Sequence, residues 1–249
     1  MRVALIGGSG LDQYEDLRVE RSETVQTDYG EPSGPLIFGS LSGIDVVFLP
    51  RHGPEHHLPP HRINYRANIS ALANAEVDTV IAITAVGGIG PDCGPGKIVI
   101  PNDIIDYTWG REHTFFAGDD GRVEHIDFTF PFSADPRQAL IAAATSSNGV
   151  VDHGVYGATQ GPRLESAAEI QRLAQDGCTI VGMTGMPEAA LAREAGLAYA
   201  NCSLVVNWAA GLSDDIITMA EIEAQLTTGM GRVRNLVASA VKGLAGIDR

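Results

Sequence analysis

The sequence predicts an α/β fold in one domain spanning residues 1–249, and three observations carry that expectation. A chain of 249 residues with 44% hydrophobic and 19% charged residues buries one sizeable core. Short β-branched runs recur along it. Helical periodicities fall between those runs.

The first run, Val3-Ala4-Leu5-Ile6, leads straight into Gly7-Gly8-Ser9-Gly10. Glycines there let backbone N–H groups and the Ser9 hydroxyl come close to an anion. A dinucleotide fingerprint would require a third glycine where Gln13 stands, and the acidic Tyr14-Glu15-Asp16 follows. The second run, Val46-Val47-Phe48-Leu49, ends at Pro50 and hands over to Arg51-His52, a guanidinium fork and an imidazole at a strand terminus. Ile63 to Ala75 has helical spacing. Val80-Ile81-Ala82-Ile83 gives a third strand, with Thr84-Ala85 expected at its end, and Ile98-Val99-Ile100 a fourth.

Tyr107 to Phe132 is aromatic, lacks periodicity and contains Gly110, Gly118 and Gly121, which marks an excursion from the sheet. Long loops of that kind shape sites or interfaces. Ala167 to Ala174 is helical. Thr179-Ile180-Val181-Gly182 runs into Met183-Thr184, placing another hydroxyl at a strand end. A helix over Pro187 to Ala195 has its proline in the first turn, where the missing N–H costs nothing. Tyr199 to Val206 completes the strands, and Met219 to the C-terminus the helices. Each polar strand-end residue, taken alone, also suits a cap or turn. Several of them at the ends of strands in one sheet make an anion site the better hypothesis.

A formal net charge of −14 opposes binding to a nucleic-acid backbone, which draws on clustered Lys and Arg. No apolar run approaches the ~20 residues that span a bilayer, and glycines follow Ile6 at once, so neither a membrane segment nor a signal peptide is expected and the location is cytoplasmic. Cys93, Cys178 and Cys202 are odd in number and lack metal-ligand spacing, which suits small buried residues in a reducing compartment. His56, His57 and His61 are expected as polar groups of a loop. Nothing calls for a metal or an organic cofactor.

Arg51-His52-Gly53, Asn64-Tyr65-x-x-Asn68-Ile69, Gly161-Pro162-Arg163 and Met183-Thr184-x-x-Pro187-Glu188-x-x-Leu191-Ala192-Arg193-Glu194 closely resemble the trimeric purine nucleoside phosphorylases, methylthioadenosine phosphorylase branch. The resemblance runs from Gly7 to about Ile222. It implies a central mixed sheet flanked by helices, a homotrimer, and inorganic phosphate as co-substrate held by Ser9, Arg51, His52, Thr84, Ala85 and Thr184. It places Met183 under the ribose and Leu164 and Val206 beside the base. Phosphate would attack C1′ as the glycosidic bond breaks, so charge must be stabilised both below the sugar and at purine N7.

The base segment, Val206-Asn207-Trp208-Ala209, departs from the adenine-specific branch, which resembles Thr-Asp-Tyr-Asp there. Asn207 and Ala209 remove both carboxylates, and the Asn207 amide matches the asparagine of 6-oxopurine enzymes, bonding O6 and N7. Glu165 falls where those enzymes carry a glutamate, and it accepts the N1–H of hypoxanthine while repelling the N1 lone pair of adenine. Without the family frame, Glu165 also suits a cap for a helix starting near Ser166, and Asn207 an ordinary turn.

At the sugar's 5′ end, inosine and guanosine enzymes resemble His-Glu-Glu-Val, against Met219-Ala220-Glu221-Ile222 here. Met219 and Ile222 lie on one helical face and would wall an apolar pocket for a methylthio group, although periodicity alone makes them core residues equally well. The two ends together fit 5′-methylthioinosine. A general inosine/guanosine phosphorylase and a methylthioadenosine phosphorylase are the alternatives. His125, before Pro131-Phe132, aligns with a histidine that reaches a neighbouring subunit's 5′ pocket.

Overall fold

The apolar runs all become strands in the computed structural model, which describes residues 1–11, 14–118, 121–144, 149–214 and 216–246. Gln13, and the last three residues of the helix expected to run to the C-terminus, lie outside the described residues. The strands are β1 (Val3–Gly7), β2 (Arg18–Glu23), β3 (Leu36–Leu41), β4 (Ile44–Pro50), β5 (Thr79–Gly88), β6 (Ile98–Val99), β7 (Asp103–Asp106), β8 (Val150–Val151), β9 (Val155–Ala158), β10 (Ile180–Gly182) and β11 (Ala198–Trp208). The helices are α1 (Tyr65–Asn74), α2 (Ala134–Ala144), α3 (Ala167–Gln175), α4 (Gly185–Glu194) and α5 (Met219–Ala245).

Among the described residues the strands form one mixed sheet with the path β2-β3-β4-β1-β5-β10-β9-β7, and β11, β6 and β8 branch from β5. Helices cover both faces. Ile69 and Leu72 of α1 and Ala189 and Leu191 of α4 pack on one. Leu140 of α2 and Met230, Val233, Leu236 and Val237 of α5 pack on the other. This is the layered arrangement expected of an α/β chain whose strands are apolar on both faces.

The centre of the sheet positions the site. β11 runs parallel to β5 along its whole length, from Ala198↔Thr79 to Trp208↔Gly88. On the other edge β1 pairs only as far as Ile6↔Ala82, and β10 joins only at Val181↔Gly87. Residues 83–86 therefore have a strand on one side and none on the other. Thr84 and Ala85 lie inside β5, not at its end as the sequence led us to expect, because pairing with β11 carries the strand on to Gly88. The departure of β1 opens the sheet at that point, which does the work expected of a strand end.

The helix boundaries follow local chemistry. Ser166 caps α3 in a reciprocal box with Glu169, and Thr218 caps α5 the same way with Glu221. In α4, Met186 departs from helical dihedrals at φ −120° and ψ 142°, so the regular helix starts at Pro187. β2, β3, β7, β8, β9 and α2 were not foreseen. β2 is fully exposed and charged, and β8 has two residues.

Candidate active site

A cavity of about 430 Å³ opens where the sheet splits, and it gathers residues from seven separate stretches of the chain. Gly8 and Ser9 follow β1, Arg51 and His52 follow β4, Thr84 and Ala85 come from β5, Leu164 and Glu165 precede α3, Met183 and Thr184 lead into α4, Val206 and Asn207 end β11 with Ala209 just beyond it, and Met219 and Ile222 open α5. All six residues expected to hold an anion line this space.

The polar floor is organised by a buried ion pair. Arg51 is fully buried, and its fork grips Glu188, also fully buried, through Nε to Oε2 at 2.6 Å and Nη2 to Oε1 at 2.8 Å. Tyr199 Oη donates to the same Oε1 at 2.8 Å, and Arg51 Nη1 donates to Ile83 O at 2.8 Å. Burial alone would pull the Arg51 pKa down, but the Glu188 carboxylate outweighs it and holds the group above its ordinary value. The bidentate fork expected to face an anion is thus turned inward, leaving one N–H on each terminal nitrogen.

His52 donates from Nδ1 to Leu58 O at 2.8 Å and stacks on His56 with ring centroids 4.4 Å apart. Burial, and then the Arg51 charge, lower its pKa from 6.5 to about 4, so it is neutral at physiological pH with Nε2 as an acceptor. His56 and His57, expected as mere loop polar groups, line the cavity as well. Thr84 Oγ1 sits 2.9 Å from Ser203 Oγ and donates to Asn201 Oδ1 at 3.1 Å. Thr184 lies in the turn between β10 and α4 and makes no side-chain cap, and it lines the cavity beside Met183. The loop after β1 needs Gly8: a Cβ there would stand 2.6 Å from Ile83 O and 2.9 Å from Arg51 Nη1.

At the opposite end the pairing of β11 slips between Val205 and Asn207. A bulge breaks the alternation of a strand, which is how Val206 and Asn207 both face the cavity. Asn207 lies within β11, paired with Gly87, and not in the turn considered above, and its Nδ2 donates to Trp208 O at 2.7 Å. Trp208 does not join the cavity; its ring packs over Gly94 and borders a separate hollow with Pro95 and Ile216. Glu165 lines the cavity beside Leu164, and Ser166 caps α3, which removes the capping alternative for Glu165. Met219 and Ile222, in the first turn of α5, wall the remaining end, with Met219 65% exposed at the mouth. His125 is exposed and lies outside the cavity of its own chain.

Sequence reasoning missed the function of Glu188, although a charged residue in the buried stretch Met186-Pro187-Glu188-Ala189 demands a buried partner. Among the described residues, no group of three or more His, Cys, Asp or Glu is placed to hold a metal ion, and no helix is long and apolar enough to cross a membrane.

The chain matches the model of the phosphorylase superfamily over residues 2–242. It is 55% identical over 236 residues, 94% of this chain and 96% of the relative, to a probable S-methyl-5′-thioinosine phosphorylase of Pseudomonas syringae pv. tomato. A probable 6-oxopurine nucleoside phosphorylase of Moorella thermoacetica is 41% identical over 98% of this chain and 94% of its own. Among solved structures, the methylthioadenosine phosphorylase of Schistosoma mansoni in complex with adenine superposes with a TM-score of 0.94 at 33% identity, covering 99% of this chain and 93% of that one.

Proposed function

The chain belongs to the phosphorylase superfamily, and within it we propose that it cleaves the N-glycosidic bond of 5′-methylthioinosine with inorganic phosphate, giving hypoxanthine and 5-methylthioribose 1-phosphate. The observation that carries this reading is the joint presence of Glu165 and Asn207 in a cavity whose other end is walled by Met219 and Ile222. Relatives at 41–55% identity with the corresponding name support it.

Phosphate sits between Ser9, Thr84, Ala85, Thr184 and the unpaired N–H bonds of Arg51, and neutral His52 Nε2 accepts a hydrogen bond from the monoprotonated anion. Because Glu188 already neutralises much of Arg51, hydroxyls and backbone N–H dipoles supply most of the recognition. A phosphate oxygen attacks C1′ as the bond to the purine breaks, the sugar passing through an oxocarbenium-like state beside Met183. Asn207 turns its amide from Trp208 O to the departing base, bonding N7 and O6. Glu165 accepts from N1–H, and the absence of a carboxylate at Ala209 leaves a 6-amino group without an acceptor. A fully buried acceptor built for that N–H rejects an analogue lacking it by up to ~10⁴-fold, and the half-buried Glu165 gives a smaller factor. Leu164 and Val206 sandwich the ring. No organic cofactor or metal enters the reaction, and nucleic acid is not a partner.

We further assign the chain to the cytoplasm, acting as one domain and as a homotrimer. Exposed Trp109, Val123 and Phe130 in the aromatic excursion, beside His125, provide an apolar surface for a neighbouring subunit.

The test is initial-rate phosphorolysis of methylthioinosine, methylthioadenosine, inosine and adenosine at saturating phosphate. Preference for methylthioinosine is expected. Preference for methylthioadenosine defeats the base assignment, and preference for inosine defeats the sugar assignment. The exposure of Met219 favours general 6-oxopurine phosphorolysis as the second reading, since a wall open to solvent discriminates weakly against a 5′-hydroxyl. Comparable efficiency on inosine and methylthioinosine would establish it.

A further inference from the structure

Glu165 stands between two cavities. It lines the main one, and it also borders a second hollow of about 330 Å³ with Thr159, Trp109, Arg163 and Arg172. It belongs to the loop that joins β9 to α3, behind Gly161-Pro162, so its backbone alone does not dictate which space the carboxylate occupies. The arginines of the second hollow are engaged: Arg163 forks onto Glu169 at 2.8 and 2.7 Å, and Arg172 lies 3.8 Å from Asp176.

The bond that holds Glu165 comes from Thr159, whose Oγ1 donates to Oε1 at 2.6 Å. The same hydroxyl lies 3.3 Å from Gly182 O, but it has one hydrogen, and the shorter contact with the charged acceptor takes it. Thr159 is itself fixed. Its backbone N–H donates to Gly182 O at 2.8 Å, extending the β9–β10 ladder by one residue, and its branched side chain has few rotamers. Gly182 ends the strand from which Met183 and Thr184 depart. One strand end therefore carries the sugar and phosphate residues and also anchors the residue that holds the base carboxylate.

We propose that Thr159 is a positioning residue for base recognition: from the wall between the two spaces it occupies Glu165 Oε1, so that Oε2 is the acceptor offered to purine N1–H. This rests on the assignment of Glu165 to the base. Thr159 lies outside the four motifs that carry the family resemblance.

Thr159→Val keeps the branched shape and removes the hydroxyl, while Thr159→Ser keeps the hydroxyl. Losing a charge-assisted bond predicts a fall of ~10-fold in kcat/KM for methylthioinosine in the valine variant, with the value for methylthioadenosine and the KM for phosphate unchanged within about 2-fold. The serine variant restores the wild-type ratio of the two nucleosides. In a Glu165→Gln background, Thr159→Val has no further effect on that ratio. A parallel fall for both nucleosides, a raised phosphate KM, or failure of serine to restore the ratio overturns the proposal. If Glu165→Gln leaves the ratio at its wild-type value, the base assignment itself falls; if Glu165→Gln changes the ratio and Thr159→Val does not, only the role of Thr159 is lost.

Discussion

Replacing Glu188 by Gln removes the counter-charge of a guanidinium with no exposure to solvent. Gln keeps the volume but offers one acceptor where Arg51 Nε and Nη2 now have two, and its amide N–H groups oppose the second donor. Leaving one member of a buried pair unpaired costs about 3–5 kcal/mol. For a chain of this size each kcal/mol lowers Tm by roughly 2–4 °C, so a loss of at least roughly 6 °C is expected. Urea denaturation followed by tryptophan fluorescence reads the free energy directly. Phosphate should stabilise the variant more than the wild type, since it supplies the missing negative charge, and a tenfold tighter site adds ~1.4 kcal/mol at saturation. The double variant Arg51→Met/Glu188→Leu removes both charges and should be more stable than either single variant. A single-variant cost below about 1 kcal/mol, or a double-variant cost equal to the sum of the singles, would refute the account of the pair.

Stability should fall below neutral pH through His52. Its folded pKa lies at about 4 against 6.5 unfolded, so the unfolded chain binds the extra proton first; its contribution, up to about 3 kcal/mol, is complete above pH 6.5 and is lost as pH drops towards 4. A His52→Gln variant should show a flatter profile across that window in the same denaturation assay. Gly8→Ala should raise the phosphate KM by more than ~10-fold with little change in nucleoside KM, because the new Cβ must displace Ile83 O or Arg51 Nη1 at the anion floor. Met219→His offers a partner to a 5′-hydroxyl and should move the ratio of kcat/KM from methylthioinosine towards inosine by ~10-fold, measured with both nucleosides side by side; an unchanged ratio would leave Met219 a bystander.

The elements legible in the sequence were those whose own residues state their environment. β1, β4 and β11 are apolar on both faces and bounded by glycine or polar residues, and α3 and α5 announce themselves by periodicity. β2 could not be read that way, because it is held by pairing with β3 and every residue of it faces solvent. The anion residues were legible as types but not as geometry. Thr84 looked like a strand end because the sequence shows where Val80 to Ile83 stops being aliphatic, and not which neighbouring strand departs there. Arg51 looked free for a ligand because its partner Glu188 is 137 residues away. Trp208 shared a segment with Asn207, but the two are successive strand residues paired with Gly88 and Gly87, and of the two Asn207 alone lines the main cavity.

The layout of that central strand pair divides the binding surface by mechanical support as well as by chemistry. Everything that would hold the nucleophile comes from β1, β4, β5 and the start of α4, locked together by Arg51, Glu188 and Tyr199. What would choose the nucleoside comes from the far end of β11, the first turn of α5 and the loop before α3, which the lock does not include. A substitution at Met219 or Ile222 therefore changes the wall of the 5′ end without touching the Arg51–Glu188–Tyr199 lock.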